Sequence, residues 1–126
     1  MSKTTAHILS TLIPAAKKVQ TVEGELVITG IRADYAPFAE FSETFCTCAN
    51  KLFDRNVVSA GNGNVVLTCN PDLPKGKYVV DTMGENAVLS ACDSEGICYA
   101  IATLVAMLNL DGDTLQVQKA IVEVGI

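Results

Sequence analysis

Tryptophan is absent from the 126 residues, histidine occurs once, and lysine and arginine together number 9 against 14 aspartates and glutamates. The shortage of positive charge excludes whole classes of partner. The net charge is -5 at pH 7, and Lys17-Lys18 is the only adjacent basic pair. Nucleic-acid binding needs clustered cations to neutralise phosphates, and anionic membrane surfaces are disfavoured for the same reason. Long apolar runs are missing too, since nothing approaches the ~20 residues that span a bilayer. The stretch from Ile8 to Ile13 stops at Pro14 and is too short for a secretory signal.

The single histidine narrows the chemistry further. A Ser-His-Asp or Cys-His arrangement would have to use His7, in a terminal segment. Neither a Gly-x-Ser-x-Gly elbow nor a His-Glu-x-x-His motif occurs. Cys46, Cys48, Cys69, Cys92 and Cys98 are odd in number and irregular in spacing, which is not a disulfide framework. Cys46-x-Cys48 invites a metal reading, but a zinc site needs about four ligands. Small buried thiols in a reducing compartment are the expectation, with no metal and no cofactor. Paired carboxylates need a cleft. The acids lie mostly at turns and on solvated helix faces, and Asp93 and Glu95 read as helix-start residues.

What is present is a globular composition, 49% hydrophobic, in a length that suits one domain over residues 1–126. Val19 to Gly30 reads as a hairpin turning at Glu23-Gly24. Asp34 to Phe53 reads as a helix capped by Asp34, with Pro37 in its first turn and Phe38, Phe41, Phe45, Ala49 and Leu52 on one apolar face. Gly61-Asn62-Gly63-Asn64 is a turn before a strand over Val65 to Cys69. Lys77 to Thr82 and Ala87 to Cys92 form an antiparallel pair across Met83-Gly84-Glu85-Asn86. A second helix, capped by Asp93 or Ser94, carries Ile97, Ile101, Leu104, Val105 and Leu108 at helical spacing. Its apolar stretch runs to Leu110 and is closed by Asn109, Asp111, Gly112 and Asp113. Leu115 to Val124 reads as a last strand. The order β-β-α-β-β-β-α-β predicts an α+β fold, a mostly antiparallel sheet with two long helices packed on one face.

Three segments carry a family resemblance. The first is Leu12-Ile13-Pro14-Ala15-Ala16-Lys17-Lys18-Val19, followed by Glu23-Gly24 and the strand to Thr29. The second is Gly76-Lys77-Tyr78-Val79-Val80-Asp81, then Glu85-Asn86-Ala87-Val88-Leu89-Ser90-Ala91. The third runs from Glu95-Gly96-Ile97-Cys98-Tyr99 through Thr103-Leu104 to Leu108. In this order they resemble the N-terminal domain of family 20 glycoside hydrolases, the β-N-acetylhexosaminidases. The signature positions are Pro14, Tyr78, Gly96, Tyr99, Thr103 and Leu104. Where the family usually has a glutamine soon after Thr-Leu, this chain has Ala106.

The resemblance implies a zincin-like fold that binds no zinc. It implies a non-catalytic accessory domain, with the catalytic residues on a (β/α)8 barrel of about 250 residues that this chain does not contain. The implied partner is that barrel, with carbohydrate reached only through the parent enzyme. Gly96 is expected to admit a close backbone, Tyr99 and Leu104 to pack, and Thr103 to bond a preceding carbonyl. The apolar helix face around Leu104 and Leu108 is expected to help dock the barrel. A stand-alone carbohydrate-binding or protein-interaction module is the alternative.

Overall fold

The computed structural model describes residues 16–54, 61 and 63–124. The strands are β1 (Ala16–Val27), β2 (Ile31–Ala33), β3 (Val65–Cys69), β4 (Tyr78–Asp81), β5 (Ala87–Ala91), β6 (Leu108–Asp111) and β7 (Thr114–Val124). The helices are α1 (Ala39–Phe53), entered through a 3-10 turn at Ala36–Phe38, and α2 (Ser94–Met107). The sheet order is β1-β7-β4-β5-β3-β2, with β6 also paired to β7. The β2–β3 and β3–β5 pairs are parallel and the rest antiparallel, so the sheet is mixed but mostly antiparallel.

Register explains the core. One row of directly opposed residues crosses all six strands of that order: Ala33, Leu67, Leu89, Val80, Val122 and Val19. Side chains alternate between faces along a strand, so this row and its neighbours meet the helices. α1 lies against β2, α2 lies against β5, β4 and β7, and the two helices touch each other. The opposite face carries the row Arg32, Val66, Val88, Asp81, Ile121 and Gln20.

The expected hairpin over Val19 to Gly30 does not form. Residues 16–27 are one strand, and both halves pair with β7. Between Thr21↔Ala120 and Glu25↔Gln118, three residues of β1 face Lys119 alone. Gly24 takes φ +118 in this bulge, and Gln118 Nε2 donates to Val22 O at 3.2 Å. An isolated two-stranded hairpin is marginal, whereas β7 offers a full-length partner, so the turn residues serve a bulge.

Asp34 does not cap α1. Its amide donates to Leu67 O at 2.9 Å, continuing the β2–β3 ladder, and its carboxylate sits 3.5 Å from Arg32 Nε. Pro37 lies in the 3-10 turn instead. Of the expected apolar face, Phe38, Phe45 and Ala49 are buried, but Leu52 is 56% exposed. The second helix stops at Met107, because residues 108–111 turn back as β6 against the start of β7. That adds a strand to the expected order.

β4 and β6 thus share one side of β7, and Thr82 fills the gap between them. Fully buried, its hydroxyl accepts from Ala120 N at 2.8 Å and donates to Gln118 O at 2.7 Å. At the same end of the sheet, Asn64 joins three segments. Its Oδ1 accepts from Thr29 N at 2.9 Å, and its Nδ2 reaches Val27 O at 2.6 Å and Glu85 O at 3.3 Å.

Candidate functional site

Four of the six signature residues, Tyr78, Gly96, Thr103 and Leu104, meet at the seam between α2 and the sheet at β4. Asp93 is the N-cap, and its Oδ1 accepts from Gly96 N at 2.9 Å. The same carboxylate accepts from Gly76 N at 3.2 Å to each oxygen, so one side chain caps the helix and pins the loop entering β4. Gly76 adopts φ +74 there, a backbone that glycine reaches without strain. A Cβ on Gly96 would stand 2.5 Å from Lys77 O and 2.9 Å from Ala91 Cβ, so only glycine lets the helix settle this close to the strands.

Two turns further along α2, Tyr78 Oη and Thr103 Oγ1 lie 2.6 Å apart in the interior. Thr103 therefore bonds a side chain of β4 rather than a carbonyl of its own helix. Burial pushes the Tyr78 phenol above its ordinary range, and the bond to Thr103 offsets part of that. Leu104 is fully buried against the sheet. It belongs to the domain's own core and offers nothing to a docking partner; Leu108 is half-buried in β6. Pro14 lies outside the described residues.

Tyr99 departs most from expectation. It does not pack inward but is 51% exposed, and its hydroxyl donates to Glu95 Oε1 at 3.2 Å. That hydrogen bond, and the carboxylate's charge, push its phenol up. The cysteines also differ from the buried set expected. Cys46, Cys69 and Cys92 are half-buried, and Cys48 and Cys98 are exposed. Cys46 and Cys48, two apart on α1, point to different sides of the helix and do not converge on one ion. Burial, then the charge of Glu43, raises the Cys46 thiol; burial, then Glu40, raises Cys98. Both shifts oppose thiolate formation.

Among the described residues, no group of three or more His, Cys, Asp or Glu could hold a metal ion. None of their helices is long and apolar enough to cross a membrane. A cavity of about 410 Å³ at the β2 edge is lined by Arg32, Ala33, Ala39, Ser42, Glu43 and Gly61. Its guanidinium is already turned to Asp34 and to Gly63 O. Sequence reasoning did not single out Gly76, Thr82 or Asn64 as holding residues. Only the Pro-Lys-Gly turn before β4 hinted at the first.

The family model for domain 2 of glycosyl hydrolase family 20 matches residues 9–123. A beta-hexosaminidase of Vibrio furnissii is 27% identical over 116 residues, which is 89% of this chain and 19% of the relative. The GH20 exo beta-N-acetylglucosaminidase of Vibrio harveyi superposes with a TM-score of 0.78 at 19% identity, covering 90% of this chain and 18% of that one. The beta-N-acetylhexosaminidase of Bacteroides fragilis gives 0.70 at 18% identity, covering 89% of this chain and 23% of that one. These structures share the α+β fold, and the chain spans about a fifth of the length of the curated relative and these neighbours. With the family model matched over nearly its whole length, the chain belongs to glycosyl hydrolase family 20, as its domain 2.

Proposed function

We propose that this chain is the non-catalytic accessory domain of a β-N-acetylhexosaminidase-like glycoside hydrolase, and that it supports a catalytic (β/α)8 barrel carried elsewhere in the parent protein. The observation that carries the reading is what the signature residues are used for. Gly96, Tyr78 and Thr103, with the N-cap Asp93 beside them, spend their polar atoms or their lack of a side chain on fastening α2 to β4. None of the four presents a carboxyl free to act as the general acid for a glycosidic leaving group, since that of Asp93 is taken up by two backbone amides. The beta-hexosaminidase name of the matched relative supports the reaction class of the parent.

The 126-residue chain should show no turnover of a chromogenic N-acetylglucosaminide, while the parent with its barrel hydrolyses it. Turnover by the pure 126-residue chain overturns the proposal. So does an open reading frame with no barrel-sized segment.

A further inference from the structure

We infer that β6, residues 114–117 of β7 and residues 25–28 of β1 form a flap that opens as one unit about Gln118 and Lys119 while the rest of the sheet stays closed. The sheet is breached at that level on both sides of β7. On the β1 side the register jumps from Thr21↔Ala120 to Glu25↔Gln118, so the ladder is broken opposite Lys119. Gly24, at φ +118, gives this bulge the freedom to bend. On the other side, pairing with β4 ends at Asp81↔Ile121, and pairing with β6 begins only at Leu108↔Val117. Burial changes phase at the same place. Val124, Val122 and Ala120 are buried at alternate positions of β7, and so are Val117 and Leu115, but the second series is displaced by one residue. A strand with one continuous core face keeps its alternation, so the flap and the main sheet each have their own.

Side chains hold the breach together. Thr82 Oγ1 donates to Gln118 O at 2.7 Å, Gln118 Nε2 donates to Val22 O at 3.2 Å, and Asn64 Nδ2 donates to Val27 O at 2.6 Å. This set of latches is incomplete. Gln118 is 2% exposed, yet its Oε1 has no hydrogen-bond partner among the described residues. Turning the amide round would not correct this, because its oxygen would then face the carbonyl of Val22. A buried acceptor without a donor raises the energy of the closed form, and opening the flap brings water to it. Opening also breaks no rung of the main sheet. The pairs of β4 with β5 and β7, and of β3 with β5 and β2, involve no residue of the flap.

Native-state hydrogen exchange of the 126-residue chain at graded urea reads such an opening directly. The amides of β6, of residues 114–117 and of Ile28, which donates to Leu115 O at 2.8 Å, should share one opening. In water they should exchange about tenfold or more faster than the amides of β4 and β5. Their urea dependence should be weaker, because less surface is exposed, and the two sets should merge as urea rises. A single urea dependence shared by all these amides overturns the inference. So do flap amides that exchange one by one without any urea dependence, since that is fraying. Deleting Glu23 and Gly24 makes the register of β1 continuous through Thr21↔Ala120 and should slow exchange in the flap to that of β4 and β5. Unchanged flap exchange in a folded deletion variant overturns the hinge. If that variant does not fold, the wild-type profile decides alone.

Discussion

A methyl group at Gly96 tests two opposing effects at one position. Alanine is favoured in a helix interior by about 1 kcal/mol over glycine. Here its Cβ would stand 2.5 Å from Lys77 O, a carbonyl at the start of a central strand that cannot swing away. Overpacking of this kind costs roughly 1–3 kcal/mol, so Gly96→Ala should lower the urea midpoint despite the better propensity. An unchanged or higher midpoint would mean that the helix shifts without cost. At the other end of the seam, Thr103→Val leaves the Tyr78 hydroxyl buried and unpaired. That should cost about 1–3 kcal/mol. Adding Tyr78→Phe should return part of the loss, because it removes the orphaned group. Simple additivity in the double-mutant cycle would refute the pairing. The sequence marked these positions as a motif but not as a contact: Tyr78 and Thr103 are 25 residues apart, and only the sheet register turns both toward the same point.

Elements were legible where their own residues decide them. β4, β5 and α2 lie close to where turn signals, periodicity and the Asp93 cap put them. One failure has its partner far along the chain; the other, β6, pairs with the next strand across a two-residue turn that a neighbouring helical period masked. Glu23-Gly24 looks like a hairpin turn to local rules, but β7 is long enough to pair with both flanks. β6 was hidden because Leu108 and Leu110 extend the apolar period of α2, and only the Gly112 turn, φ +61, folds them back. Thr82 holds the resulting gap, so it is an element-scale test. Thr82→Val removes the acceptor for Ala120 N and should cost about 1–3 kcal/mol, the penalty of a buried unsatisfied amide. Exchange of the Ala120 amide should quicken, and Thr82→Ser should restore protection. Retained protection in the valine variant would show that Thr82 merely fills space.

At the scale of the whole molecule, the acidic, histidine-poor composition leaves alkaline titration as a sensitive handle on packing. Tyr78 is held above its ordinary value of about 10 by burial. As pH rises through that ordinary value, the unfolded chain releases its phenolic proton while the folded chain keeps it. The unfolded state then binds fewer protons, so stability falls with rising pH. It is fully present below about pH 9 and is lost upward through the raised folded value. The raised thiols of Cys46 and Cys98 act with the same sign, starting lower because free cysteine titrates near 8.5. Urea midpoints should therefore be level from pH 7 to 8, decline gently near 9, and steepen above 10. Tyr78→Phe starts less stable, having lost its bond to Thr103, but lacks the steep limb, so its midpoint should approach that of the wild type as the pH climbs. Parallel curves up to pH 11 would mean that the phenol escapes its burial before the domain unfolds. In that case the seam between α2 and β4 is not the part of the fold that yields last.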